Sequence, residues 1–149
     1  VTLFLDTNVP LYAAGREHEL REPCRRVLEM VADGVLDVMS DAEVLQELLY
    51  IYWRRGEGFR ARSLVKGIVE ILGADRVAAV EARDVVRASE LLAELGPLVL
   101  SPRDCIHLAV MEREGVREIL SVDGDFDRVD WVVRVEPQAL AREVGGGGD

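Results

Sequence analysis

The sequence predicts an α/β fold around a mostly parallel sheet. Short apolar runs alternate with amphipathic helical stretches from end to end, the pattern of strands joined by crossover helices. The joints between them carry helix-start and helix-stop residues at fitting offsets. A chain of 149 residues suits one domain, able to bury roughly two-thirds of its unfolded surface. Residues 1–137 are expected to form that domain. Residues 138–149 are read as a C-terminal segment with a flexible tail, because "GGGGD" has nothing to pack.

Thr2–Leu5 is the first strand, and Pro10 suits the first turn of a short helix capped by Thr7 or Asn8. In "EPCRRVLEMVADG", Cys24, Val27, Leu28 and Val31 share one helical face, with Gly34 past the end. "VLDVM" (35–39) is the second strand. Ser40 and Glu43 have capping-box spacing and launch a helix with Val44, Leu48, Ile51 and Tyr52 on one stripe. After the break at Gly56 and Gly58, "FRARSLVKGIVEIL" is helical. "RVAAV" (76–80) is a strand and "EARDVVRASELLAELG" a helix. A further helix takes Ser101 as N-cap and Pro102 at its first position, and closes on Gly115. "REILSV" and "WVVRV" supply the last two strands.

Composition narrows the function. No apolar run approaches the ~18 residues that span a bilayer, so no membrane association and a cytoplasmic location are expected. Cys24 and Cys105 are too few for a disulfide framework and read as buried thiols. The net charge of −10 argues against broad nonspecific nucleic-acid binding. Against that background Arg54, Arg55, Arg60, Arg62 and Lys66 form a local basic stretch. It is a candidate contact for RNA phosphates, with a solvated helix face as the alternative.

The acids fall where an α/β sheet binds ligands, beyond the carboxyl ends of its strands. Asp6 directly follows the first strand, and Asp123 and Asp125 follow the fourth. Glu43 and Glu47 lie four apart on the helix after the second strand, and Asp104 sits in the first turn after Ser101. Several carboxylates on one rim repel unless a cation sits among them. Hard oxygen donors point to Mg²⁺ or Mn²⁺ over zinc. Two such ions would activate water against a phosphodiester. Each acid also has a plainer explanation. Asp6 could cap the following helix, Asp104 could complete a capping box with Ser101, and Asp123 and Asp125 could be a polar turn. Glu43 is the capping partner of Ser40, which leaves Glu47 as the better ligand. His107, in "CIHLAV", reads as a packed histidine.

With these residues in place the chain resembles a PIN domain, specifically the toxin ribonucleases of the VapC type. "FLDTNVPLYA" is similar to the family's opening strand and first acid, placing Asp6 at that acid and Asn8 at an accessory polar position. "SDAEVLQELLYIYWRR" resembles its second acidic helix, with Glu47 as the ligand. "LSPRDCIHLAVMEREGVREILSVDGDF" is similar to the remaining motifs, with Asp104 third, Asp123 fourth and Asp125 the variable neighbour. Ser121 stands where many members carry Thr.

The resemblance implies a three-layer α/β/α fold with a five-stranded sheet. It implies a metal-dependent endoribonuclease, homodimeric and silenced by a cognate antitoxin. The catalytic ligands would be Asp6, Glu47, Asp104 and Asp123, assisted by Asp125, with Asn8 and Ser121 hydrogen-bonding behind them.

Two rival functions stand beside this one. A haloacid-dehalogenase-like phosphatase would use Asp6 as nucleophile, but it needs an acid two residues on, where this chain has Asn8. A non-catalytic PIN module would bind RNA or a partner without needing the acid cluster. A calcium loop at "DGDFDRVDWVVR" fails, because Arg128 replaces its glycine and Arg134 its bidentate Glu.

Overall fold

The computed structural model of the protein describes residues 1–96 and 99–146. Its strands are β1 (Leu3–Leu5), β2 (Val38–Asp41), β3 (Val77–Ala78), β4 (Glu118–Leu120) and β5 (Val133–Val135). All pair in parallel, in the order β3-β2-β1-β4-β5. The chain winds outward from β1 to β3 and then returns to the other side of β1. The direction of winding therefore reverses at the β1–β4 junction, where such sheets open a crevice. Every residue of β1 is buried, as expected for a central parallel strand covered on both faces.

The helices are α1 (Asn8–Ala14), α2 (Arg21–Ala32), α3 (Ala42–Arg54), α4 (Gly58–Leu72), α5 (Ala82–Leu95), α6 (Pro102–Glu114) and α7 (Pro137–Gly146). They cover the sheet as a three-layer α/β/α arrangement. α2 packs against α1, α4 and α7, α5 packs against α6, and α3 touches both α4 and α6. Among the described residues no helix is long and apolar enough to cross a membrane. Cys24 and Cys105 are buried free thiols.

α6 begins and ends as expected. The Ser101 hydroxyl accepts from the Asp104 amide, Pro102 opens the helix, and Gly115 closes it at φ 69° with Val116 N donating to Met111 O. The second strand differs. It runs over 38–41, because Val35 belongs to the turn that ends α2. Gly34 adopts φ 73° there and Val35 N donates to Met30 O. The shift moves the cap of α3 from Ser40 to Asp41, whose Oδ1 accepts from Val44 N at 2.9 Å. Ser40 stays in the sheet and donates to Leu5 O, so the Ser40–Glu43 capping box does not form. The "GGGGD" tail expected to be flexible divides: α7 runs through Gly146, and residues 147–149 lie outside the described residues.

Candidate active site

Asp6 is the first residue beyond β1, and its amide still reaches across to Leu120 O in the β1–β4 ladder at 3.1 Å. The carboxylate is 4% exposed and held by three donors. Thr7 N donates to Oδ1 at 2.8 Å; Asn8 Nδ2 and Ser121 Oγ donate to Oδ2 at 3.0 and 2.6 Å. Ser121, one residue past β4, is the hub of this network. Its Oγ also accepts from Asn8 Nδ2 and from the Asp123 amide, both at 3.0 Å. Asn8 Oδ1 accepts from Val122 N, so each polar end of Asn8 ties α1 to the β4 exit. Asp6 does not cap α1: its side-chain bond goes to the adjacent Thr7 amide, and α1 has no side-chain cap.

Glu47 projects from α3, and its Oε2 accepts from the Thr7 hydroxyl at 2.6 Å. Glu43, one turn earlier, lies 3.6 Å from Arg103 Nε and so has a cation of its own. Asp104, in the first turn of α6, has its pKa raised chiefly by burial; His107 and the Ser101 hydroxyl oppose the rise, and Asp123 and Glu47 add to it. Asp123 caps the short 3₁₀ turn Gly124–Arg128, accepting from the Asp125 amide at 3.0 Å. Asp125 itself is exposed, and it shares with Asp104 the wall of an open cleft of about 550 Å³.

Two buried residues complete the centre that the sequence did not mark as functional. Asp41 caps α3 with one oxygen and with the other meets His107 Nδ1 at 2.9 Å. His107 is fully buried, against the Phe4 ring. Its Nε2 has no hydrogen-bond partner and stands 3.7 Å from Glu47 Oε2. Atoms of Asp6, Asp104 and His107 come within 4.8 Å of one another.

Burial works against a charged His107, but Asp41 and the surrounding acids outweigh it and raise its pKa well above the usual value. The protonated form of the ring is a cation set among Asp41, Glu47 and Asp6. Glu47 feels burial too, yet the His107 and Thr7 contacts bring its pKa below normal. Asp6 fares otherwise. Burial pushes it up to about 6, Asp104 adds to this, and His107, Ser121 and Thr7 only partly oppose it. The only signal that could have revealed Asp41 was the "SD" pair before α3, where either residue can cap.

The donor set passes the test for a hard divalent ion. Asp6 and Asp104 offer carboxylate oxygens to one shared space, and the His107 ring beside them is held at Nδ1 by Asp41.

The basic stretch divides between two places. Arg55 and Arg60 line a cleft of about 890 Å³ that begins at Asn8, together with Tyr12, Arg16 and His18. Arg54, Arg62 and Lys66 are exposed and do not line it.

The PIN domain family profile matches residues 3–132. The chain belongs to the PIN domain family. Within it the chain is similar to Ribonuclease VapC23 of Mycobacterium tuberculosis, 38% identical over 81% of this chain and 92% of that protein. The crystal structure of VapC20 from the same organism, a toxin described as cleaving the sarcin-ricin loop, superposes with a TM-score of 0.69. It is 26% identical and covers 89% of this chain and 99% of that one. VapBC2 of Rickettsia felis, solved bound to a DNA fragment of its promoter, shares the fold at a TM-score of 0.69. There the identity is 18%, over 91% of this chain and 98% of that one. This PIN assignment overturns the phosphatase reading of Asp6.

Proposed function

We propose that this PIN protein is a divalent-metal-dependent endoribonuclease, the toxin of a VapC-type toxin–antitoxin pair. The observation that carries the reading is Asp6: buried at the β1–β4 switch point beside Asp104, with its pKa pushed up to about 6 by burial and by that second carboxylate, which His107 only partly offsets. Asp6, Glu47, Asp104 and Asp123 would hold Mg²⁺ or Mn²⁺, with Asp125 at the open edge. When bound, such ions supply Lewis acidity toward the phosphodiester and its attacking water.

The chain's own groups set the geometry for this. Ser121, Asn8 and the Thr7 amide fix both oxygens of Asp6, and Thr7 fixes Glu47, so these acids lose little freedom when a substrate arrives. His107, anchored by Asp41, keeps Glu47 ionised as its buried counter-charge.

The antitoxin belongs to the same proposal, supported by the VapBC complexes among proteins of this fold. An arginine-bearing segment fits an acidic rim, since guanidinium pairs bidentately with carboxylate. A homodimer is supported by Leu49, Tyr50 and Trp53, exposed apolar side chains on α3.

Incubation of a panel of structured RNAs with Mn²⁺, against an EDTA control, tests the activity. Metal-dependent scission lost in Asp6→Asn is the expected result. RNA that is bound but left intact with Mn²⁺ would instead make the protein a non-catalytic PIN module.

A further inference from the structure

We infer that the cleft beside Asn8 is a nucleotide subsite, which takes the base and phosphate next to the scissile bond. The inference rests on the ribonuclease reading and adds to it where the flanking RNA lies.

The cleft is walled by the end of α1, the loop that follows it, the end of α3 and the start of α4. Its volume of about 890 Å³ lies within the roughly 300–1,000 Å³ of pockets that hold one organic ligand. It adjoins the acid cluster at Asn8, which lines the cleft and also hydrogen-bonds Asp6 and Ser121. In the proposed arrangement a strand whose phosphate sits at the acid cluster passes Asn8 and lays its neighbouring nucleotide in the cleft.

The lining has the chemistry for that nucleotide. Tyr12 and His18 stand with ring centroids 4.9 Å apart, tilted 40°. His18 Nδ1 accepts from the Leu20 amide at 3.1 Å, which fixes the ring, and the residue is exposed. Aromatic faces of this kind stack bases of any sequence.

Three arginines, Arg16, Arg55 and Arg60, line the same cleft. Arg60 pairs with Glu57 at 3.4 Å. Arg55 lies over the Tyr52 ring at 5.6 Å, and among the described residues no carboxylate pairs with it or with Arg16. In a chain with 28 acids and 18 bases, arginines left without an acid beside an acidic centre fit an anion brought in with the substrate. Glu17 and Glu57 line the cleft too, and Glu57 is already paired with Arg60, so the excess charge of the lining is positive.

The test measures binding of a fluorescently labelled, mixed-sequence eight-nucleotide RNA by anisotropy, with Ca²⁺ replacing Mg²⁺ to separate binding from hydrolysis. Tyr12→Leu is expected to weaken binding about tenfold, the range of one lost base stack. Arg16→Ala and Arg55→Ala should each weaken it and lower the slope of log Kd against log salt by about 0.7. Arg83→Ala, on α5, should change neither quantity. The Mn²⁺-induced rise in melting temperature should persist in every variant, showing that the fold and acid cluster are intact.

If wild type binds and cleaves RNA while Tyr12→Leu, Arg16→Ala and Arg55→Ala bind as tightly with the same salt slope, the subsite is refuted and the ribonuclease reading stands. Variants that weaken only a complex with the antitoxin would make the cleft a protein groove, which also overturns the inference. A wild type that neither binds nor cleaves RNA removes both proposals.

Discussion

Asp6 and Asp84 are aspartates buried almost equally, 4% and 2% exposed, yet their carboxyls are driven in opposite directions. At Asp84, on α5, burial raises the pKa but Arg113 of α6 more than cancels it. Arg113 Nε and Nη2 grip the two oxygens at 2.9 and 3.0 Å, and the Glu81 amide adds a third bond. At Asp6 the donors are a hydroxyl, an amide and a backbone N–H, and the nearest cation is a histidine shared among several acids. Asp84 is a closed pair that clamps α5 to α6. The Asp6 cluster is left short of positive charge, which is the property a metal centre needs and a structural ion pair lacks.

Substitutions at the two sites should therefore act on different quantities. The largest effect is on activity: Asp6→Asn or Asp104→Asn should abolish metal-dependent RNA cleavage, a loss beyond the ~10–100-fold carried by outer hydrogen-bond partners. Ser121→Ala belongs in that lower range, measured in the same assay. Arg113→Ala should leave cleavage intact while costing about 3 kcal/mol, because it strands the Asp84 carboxylate. That loss would lower the melting temperature by roughly 5–10 °C. Lost cleavage in a folded Arg113→Ala protein would break the contrast.

A smaller and opposite shift is expected of Asp6→Asn in EDTA. Removing an uncompensated charge should stabilise the protein by about 1–3 kcal/mol, raising its melting temperature by several degrees while eliminating the Mn²⁺-induced shift. An Asn variant that melts lower in EDTA would show that the three hydrogen bonds outweigh the stored charge.

The finest test is pH. The folded pKa of Asp6, about 6, lies above its ordinary value of 3.8, so folding takes up a proton between them. Stability of the metal-free protein should rise on this account as pH falls from 6 toward 4. The folded pKa of Asp84 lies below the ordinary value, so its contribution is full above about 4 and is lost as pH falls further. Melting curves across this range should lose the first trend in Asp6→Asn and the second in Arg113→Ala.

Much of this was legible in the sequence because it depends on near neighbours. Ser101, Pro102 and Gly115 bound their helix through contacts within a few residues, and the alternation of apolar runs set the strand order along the chain. Asp6 stood out because an acid directly after a buried strand has few structural reasons to be there. The Ser40–Glu43 pattern misled, since the same local spacing admits Ser40 or Asp41 as cap, and pairing with β3 and the hydroxyl bond to Leu5 O hold Ser40 in the sheet.

By itself the sequence determined the α/β class, the positions of the acids at strand ends and helix starts, and the hydroxyl and amide at Ser121 and Asn8. Tertiary structure decided what those acids face. His107 meets Asp41 across 66 residues, Ser121 meets Asp6 across 115, and Arg55 joins Tyr12 around one cleft. The sign of a buried carboxylate's pKa shift depends on which charges stand within a few ångströms. Sequence spacing carries that information only inside a helix or a turn. Across a parallel sheet, the register and the crossovers set it.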